Sequence, residues 1–183
     1  FVVCCVVLFF SSIRLLSRLA YLIDFQSCAV PIWCHAPDLL PLLRPLIVTG
    51  AWLDQVDDIA THHVAPILLR HRETVTPTML AWARGGDPLG DDLWLRRTAI
   101  ICQLPHKGAT DVALLTAAID ANLETDARGE RTAYGSSFWI RKAIGWALRQ
   151  QARTDPQWTL DFVADHRDRS EEHTSELQSR QSI

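Results

Sequence analysis

The sequence predicts an all-α protein. Between Trp33 and Asp168, apolar residues recur at the three- and four-residue spacing of amphipathic helices, and the alternation typical of strands is almost absent. Glycine and proline interrupt this pattern at short intervals, so the connections between consecutive helices are short. Short connections favour antiparallel helix pairs, stacked either as an α-solenoid or as a bundle. Periodicity alone leaves these two architectures open.

Seven helices are predicted in this segment, and turn or cap residues mark their ends. Gly85 and Gly86 end the third helix, while Asp155 is placed to cap the last one with Pro156 at its first position. The polar stretch Glu124–Gly135 is predicted to be a surface loop. The predicted helices are Asp38–Val48, Trp52–Val64, Thr76–Arg84, Asp91–Leu104, Thr110–Asn122, Ser136–Arg153 and Pro156–Ala164.

The size and charge of the chain limit its possible functions but do not identify one. A length of 183 residues is enough for one domain with a core of its own. The formal net charge of −3 argues against a uniformly basic nucleic-acid binder. Because binding depends on where the positive charges lie, a local basic surface stays compatible with this value.

The cysteines predict neither a metal site nor a disulfide framework. No Cys/His group has the spacing of zinc ligands, and the thiols are not evenly spaced. We therefore expect free thiols in a reducing, cytoplasmic environment. The five cysteines are Cys4, Cys5, Cys28, Cys34 and Cys102.

Both ends of the chain are interpreted as foreign to the protein. Arg169–Ser179 matches the translation of a common sequencing-library adapter at every position, so residues 169–183 are predicted to be a disordered, adapter-derived tail. Phe9–Ile32 keeps part of the pattern of the reverse-strand product, and residues 1–32 are interpreted as a degraded version of it. Residues 33–168 are then a partial domain, and a chain that does not begin with Met is interpreted as a fragment.

A membrane segment is a poor alternative for the beginning of the chain. The apolar run Phe1–Phe10 has about half of the ~20 residues that span a bilayer. Arg14 and Arg18 follow this run, whereas a signal peptide carries its positive charges first.

Asp57 is the first candidate functional residue. It lies at the border of an apolar stripe on the second predicted helix, so its carboxylate can face a groove, whereas Asp54 and Asp58 fall on the solvated side. An ordinary surface acid is the alternative interpretation. The stripe consists of Trp52, Val56, Ile59, Ala60 and His63.

Two adjacent arginines are predicted to differ. Arg96 projects beside Gln103 and is expected at the surface, whereas Arg97 projects between Ile101 and Leu104, inside an apolar arc. A buried guanidinium needs a partner, because an unpaired buried charge is costly. A structural ion pair and a side chain aimed at a phosphate or a catalytic carboxylate are both open interpretations.

The helix FWIRKAIGWALRQQAR carries two distinct faces. Its buried face is predicted to contain Ile140, Ala143, Ile144, Ala147 and Leu148. A second stripe at positions i, i+4, i+7 and i+11 places three cations around one tryptophan, which is typical of a surface that follows a nucleic-acid backbone. A solvated charged face is the alternative. This stripe consists of Lys142, Trp146, Arg149 and Arg153, and Lys107 and Arg141 are predicted to extend it.

Three strings together resemble a known family. GAWLDQVDDIA from Gly50, LWLRRTAIICQLPHKGATD from Leu93 and FWIRKAIGWALRQQARTDP from Phe138 resemble the DNA alkylation repair enzymes of the AlkD type, which are glycosylases built from HEAT-like repeats. The resemblance runs from about Leu39 to Phe162. It implies an α-solenoid of HEAT-like antiparallel helix pairs, truncated because the N-terminal repeats and the last helix of the family are missing.

The resemblance also implies roles for individual residues. The catalytic aspartate of the family ends a W-W-D-x-V-D pattern, which passes this role to Asp57, with Trp52 at the start of the pattern and Leu53 in place of its second tryptophan. The functional arginine of the family falls on Arg97, and the tryptophan of its IGW motif falls on Trp146. Lys142 and Arg149 would contact phosphates together with Arg97, and Lys107 and Arg153 would add to the DNA-binding surface.

The implied activity is hydrolysis of the N-glycosidic bond of cationic purines, such as N3-methyladenine and N7-methylguanine, in double-stranded DNA. It implies a monomeric enzyme without a cofactor, acting in the cytoplasm where the DNA is. Two alternatives stay open. Leu53 favours a non-catalytic relative that binds branched or distorted DNA, and a HEAT-type scaffold for protein partners would show no salt-dependent affinity for DNA.

Overall fold

The computed structural model describes residues 36–125 and 130–166. These residues form an all-α, solenoid-like fold, which confirms the predicted fold class. Within the two ranges no strand is present, and a single isolated antiparallel bridge joins Thr125 to Arg131. The predictions for segments 1–32 and 169–183 concern residues outside these ranges.

Eight helices follow one another along the described part of the chain. A 3-10 turn (Pro37–Leu39) leads into the first of them. A π-helical turn (Ile59–Val64) joins the second to the third, and a second 3-10 turn (Leu104–Ala109) follows the fifth. None of these eight combines the length and the apolar character needed to cross a bilayer. They are α1 (Leu40–Gly50), α2 (Leu53–Asp58), α3 (Ala65–Arg70), α4 (Arg72–Arg84), α5 (Leu93–Ile101), α6 (Val112–Asp120), α7 (Phe138–Ala152) and α8 (156–166).

Local sequence explains where several helices begin and end. Gly85 adopts a φ of 73° and ends α4, as predicted, since glycine enters the left-handed region without a Cβ clash. The Asp155 carboxylate accepts a hydrogen bond from the Trp158 amide at 3.0 Å, which confirms the predicted cap of α8. Asp92 caps α5 in the same way, accepting from the Trp94 amide at 2.8 Å.

The second predicted helix is longer than the sequence indicates. The sequence pattern predicts an end at Val64, two residues before Pro66, but the helical path continues through α3 to Arg70. The turn before the proline widens, so that the Ala65 amide donates to the Ala60 carbonyl five residues back. A widened turn relieves the clash between a proline ring and the preceding carbonyl, which would otherwise break the helix.

Helix α5 lies at the centre of the fold. It packs against α1, α2, α4, α6 and α7, and every residue from Leu95 to Ile101 is buried. The prediction that Arg96 is a surface residue is therefore wrong, since its exposed fraction is 6 %. A helix covered on all sides has no solvated face, and the amphipathic pattern could not reveal this.

Buried Arg96 is fully engaged by groups around it. Its Nε and Nη2 donate to the two carboxylate oxygens of Asp91 at 2.7 and 2.8 Å. Its Nη1 donates to the carbonyls of Ala83 and Ala121 and to Oδ1 of Asn122, at 3.1 to 3.3 Å. The guanidinium thus satisfies carbonyls at the C-terminal ends of α4 and α6, where helices leave acceptors unpaired.

Asp87 ties the loop after α4 to α1. Its carboxylate accepts hydrogen bonds from Arg44 Nε at 2.7 Å, from Trp82 Nε1 at 3.0 Å and from the Leu89 amide at 3.0 Å. Burial by itself would raise the pKa of Asp87, but these hydrogen bonds and the charge of Arg44 outweigh it and lower the pKa below its ordinary value.

Candidate functional site

Asp57 and Arg97 form a bidentate ion pair between α2 and α5. Arg97 Nε donates to Asp57 Oδ1 at 2.7 Å, and Nη2 donates to Oδ2 at 2.8 Å. The Arg97 side chain is 3 % exposed, whereas the Asp57 side chain keeps 18 %. Two parallel hydrogen bonds fix the plane of the carboxylate. The site is therefore an oriented negative charge that is in contact with solvent.

The position of Asp57 follows from its place on α2. Val56 beside it is buried, so Asp57 lies at the border of the apolar face, as predicted. The Thr61 hydroxyl in the π-helical turn donates to the Asp57 carbonyl at 2.7 Å. The helix end that carries the carboxylate is thus held by the widened turn that follows it.

The third nitrogen of the Arg97 guanidinium reaches α7. Nη1 donates to the Trp139 carbonyl, in the first turn of that helix, at 2.6 Å. All three guanidinium nitrogens are therefore used inside the protein. The sequence left two roles open for Arg97, a partner for a carboxylate or a contact to phosphate. This arrangement favours the first.

An aromatic cluster that the sequence analysis missed surrounds this contact. The rings of Trp94 on α5 and Trp139 on α7 have centroids 6.1 Å apart, and Phe138 meets Trp139 edge to face at 5.1 Å. Lys142 Nζ lies 5.2 Å from the centroid of the Phe138 ring. Trp94 could have been found from its spacing in the sequence, because it lies three residues before Arg97 and therefore shares a helix face with it.

Helix α7 presents its predicted basic stripe to solvent. Of the predicted core face, Ile140, Ala143 and Ala147 are buried, whereas Ile144 and Leu148 are half-buried and pack against the core. The stripe lies outside this face. Trp146 is 40 % exposed and lies seven residues from Trp139, about 10 Å along the helix axis. The exposed residues of the stripe are Lys142, Trp146, Arg149 and Arg153, and Arg141 is exposed as well.

Lys107 joins this surface from the 3-10 turn after α5. The turn packs against α7, and a Cβ built on Gly108 would lie 3.9 Å from the Thr154 side chain. Lys107 precedes Gly108 and is exposed, and Thr154 follows Arg153 at the C-terminal end of α7, so Lys107 lies near that end of the helix. Lys107 adopts a φ of 53° and a ψ of −122°, outside the helical region, and this breaks the turn at that residue.

Trp52 does not lie in the apolar stripe to which the sequence assigned it. Its backbone is extended, with φ −125° and ψ 132°, and its side chain is 67 % exposed. Val56, Ile59 and Ala60 of the predicted stripe are buried. Trp52 precedes the first helical residue, so helical spacing does not describe its direction. It is an exposed aromatic at the start of α2.

The chemistry available at this site is electrostatic. No group of three or more metal-ligating side chains lies together within residues 36–125 and 130–166. An oriented carboxylate in a partly desolvated position favours positive charge that develops beside it. The neighbouring exposed cations and aromatic rings suit a polyanion that carries planar groups.

Fold and site together define the class: an all-α, solenoid-like protein with a guanidinium-held carboxylate next to a basic, aromatic helix face. A model of the DNA alkylation repair enzyme family matches residues 19–178. This is most of the chain, and the chain therefore belongs to the DNA alkylation repair enzyme family.

A solved structure supports the same family. It is described as a predicted DNA alkylation repair enzyme from Enterococcus faecalis, and the similarity has a TM-score of 0.56 at 29 % sequence identity. The match covers 71 % of this chain and 54 % of the other, so the chain spans about half the length of this neighbour. No curated protein matches the chain.

Proposed function

We propose that this protein is a HEAT-like-repeat DNA glycosylase of the AlkD type, which excises cationic alkylated purines such as N3-methyladenine and N7-methylguanine. The observation that carries the proposal is the bidentate pair of Asp57 and Arg97, because it orients a solvent-accessible carboxylate beside a basic, aromatic surface. Membership of the DNA alkylation repair enzyme family and the name of the structural neighbour agree with this activity.

The proposed reaction needs little general-acid catalysis, but it needs negative charge close to the sugar. A purine that already carries a positive charge leaves readily, because the electron pair of the breaking C1′–N bond neutralises it. The sugar becomes an oxocarbenium-like cation, and carboxylates stabilise such cations in glycoside hydrolases. Asp57 would supply this charge and orient the water whose oxygen bonds to C1′, with the water's proton passing to the carboxylate or to solvent.

The remaining candidate residues would hold the DNA. Trp146 and Trp52, both exposed, would offer aromatic faces to the sugar and the cationic base, and cation–π attraction favours charged lesions. The phosphates would be bound by four exposed basic residues, Lys142, Arg149, Arg153 and Lys107. Arg97 would act on Asp57 and not on phosphate, since its three nitrogens are engaged.

The proposed partner is double-stranded DNA containing alkylated purines. We further propose that the protein acts as a monomer in the cytoplasm, where bacterial-type nucleoid DNA is accessible, and without a cofactor, since loss of a cationic base needs none.

Single-turnover release of 7-methylguanine from methylated DNA tests the activity. Asp57→Asn should lower the rate constant by roughly 100- to 1000-fold, the usual effect of removing one preorganised electrostatic group. Affinity for DNA should stay nearly unchanged. Asp54→Asn is the matched control, because Asp54 lies on the same helix and is exposed. Undiminished release by Asp57→Asn would refute the assignment, and DNA binding by the parent protein without any release would favour the non-catalytic alternative.

Salt dependence tests the DNA-binding surface separately. Replacing Lys142 and Arg149 together with Gln should flatten the slope of log K against log salt by about 1.8, since each phosphate contact contributes about 0.9. The slope is measured by fluorescence anisotropy with an undamaged duplex. A parent protein with no salt-dependent affinity would favour a protein-interaction scaffold.

A further inference from the structure

We infer that Trp94 is a positioning residue, which acts through Trp139 and Arg97 on the Asp57 carboxylate. The inference deepens the proposed glycosylase function and rests on it. The Trp94 ring contacts the Trp139 ring, with 6.1 Å between the centroids and 37° between the planes.

Helix α5 makes two contacts to one residue of α7. Trp94 and Arg97 lie three residues apart on α5 and share a face. Trp94 packs its ring against the Trp139 ring, and Arg97 donates to the Trp139 carbonyl at 2.6 Å. A residue held by both its side chain and its main chain has a fixed position relative to α5.

The guanidinium group of Arg97 is planar. Its three nitrogens and their hydrogens lie in one plane, so the acceptor of Nη1 sets the rotation of Nε and Nη2. Nε and Nη2 are the atoms that hold both oxygens of Asp57, at 2.7 and 2.8 Å. A displaced Trp139 carbonyl therefore turns the guanidinium, and the plane of the carboxylate turns with it.

Other side chains also contribute to holding the first turn of α7. Phe138 meets Trp139 edge to face at 5.1 Å, but Phe138 is 55 % exposed and lies on the same helix. It cannot fix that helix relative to α5. Ile140 in the same turn is buried in the core, and the half-buried Trp94 ring contacts Trp139 itself from α5. Loss of the ring therefore lets the Trp139 carbonyl shift while the helix stays packed.

The test compares Trp94→Leu with Trp94→Phe and a matched control. Trp158→Leu removes another half-buried tryptophan from an aromatic pair, the stack with Phe162 at 5.1 Å, which has no contact with Arg97. In the full chain, Trp94→Leu should lower the single-turnover rate constant roughly tenfold, within the ~100-fold that a misplacement of 1 Å can cost. The dissociation constant for undamaged DNA should stay within a factor of two, and Trp94→Phe should restore most of the rate.

A spectroscopic measurement makes the inference independent of activity. The Nε–H resonance of Arg97, assigned by Arg97→Lys, should shift or broaden in Trp94→Leu and keep its position in Trp94→Phe and Trp158→Leu. A slower rate with an unmoved Arg97 resonance, or a Trp158→Leu variant that is slowed equally, would overturn the inference. A parent protein that releases no methylated base refutes the proposed function instead, and the Arg97 resonance then decides on the positioning role alone.

Discussion

Arg96 and Arg97 are neighbours in sequence, both are buried, and their guanidinium groups bond to different helices. Arg96, 6 % exposed, satisfies carbonyls at the ends of α4 and α6, whereas Arg97, 3 % exposed, joins Asp57 on α2 to the first turn of α7. One arginine thus holds the centre of the fold together, and the next one shapes the candidate site. Substitutions at the two arginines and their partners should separate these two functions.

Removing Asp57 should cost more stability than removing Arg97. Asp57→Ala leaves a guanidinium that is 3 % exposed with two nitrogens unpaired, and breaking a buried pair in this way costs about 3 kcal/mol. Arg97→Met leaves a carboxylate that is 18 % exposed and can be hydrated, so the loss should be smaller. Urea unfolding of both variants measures the difference, with the exposed Asp54→Ala expected within about 0.5 kcal/mol of the parent. Equal losses would contradict the asymmetry.

Lysine should not replace Arg96. A single ammonium group cannot reach Asp91, the Ala83 carbonyl and Asn122 together, so Arg96→Lys leaves buried acceptors unpaired. We expect the free energy of unfolding to fall by about 3 kcal/mol, measured by urea denaturation. Arg141→Lys at an exposed position of α7 is the control and should change stability by less than about 0.5 kcal/mol. If Arg96→Lys is as mild as the control, the surface interpretation of Arg96 is right after all.

Replacing Gly135 and Gly145 with alanine should change the free energy of unfolding in opposite directions. A Cβ on Gly135 would collide with the Leu123 carbonyl and the Glu124 Cα, which are backbone atoms that cannot move aside cheaply. A Cβ on Gly145, inside α7, would meet nothing within 4 Å. Thermal unfolding should show Gly135→Ala losing about 2 kcal/mol or more. Gly145→Ala should gain about 0.5–1 kcal/mol from helix propensity. A tolerated Gly135→Ala would mean that the loop before α7 is packed differently.

The contribution of Asp87 should depend on pH. Its folded pKa is lower than the ordinary value of 3.8, so the stabilisation by Asp87 is present above that value and disappears as the pH falls through the folded pKa. Asp87→Asn should therefore be less stable than the parent at pH 7, and the gap should narrow steadily below pH 3.8. Urea midpoints between pH 2 and pH 7 provide the comparison. A gap that is constant over this range would show that the hydrogen bonds matter and the charge does not.

Side-chain periodicity was enough to predict much of α7. The buried Ile140, Ala143 and Ala147 and the exposed Lys142 and Trp146 all follow from 3.6 residues per turn on a helix with one solvated face. Periodicity gave the wrong prediction for Arg96, because α5 is covered by other helices on all sides. The sequence of α5 alone does not show which helices pack against it.

Other parts of the site were beyond sequence reasoning for a different reason. The partner of Arg97 on α7 is the main-chain carbonyl of Trp139, and every residue has such a group, so no side-chain pattern identifies it. The extension of the helix past Pro66 depends on a change in backbone hydrogen bonding that leaves no compositional signal. Asp57 and Arg97 could be singled out from the sequence, but their 2.7 Å contact could not.

The π-helical turn determines how the continuous helical segment from α2 to α3 responds to the loss of one residue. A turn closed by i to i+5 hydrogen bonds holds one residue more than an α-helical turn, so the register of α2 is offset from that of α3 by one position. Deleting a single residue between Ile59 and Val64 would let the turn close with ordinary α-helical hydrogen bonds, and α2 and α3 would keep their relative orientation. Asp57 would then still face Arg97. The same deletion within Ala65–Arg70, which holds no extra residue, would rotate α2 by about 100° and carry Asp57 out of reach of Arg97.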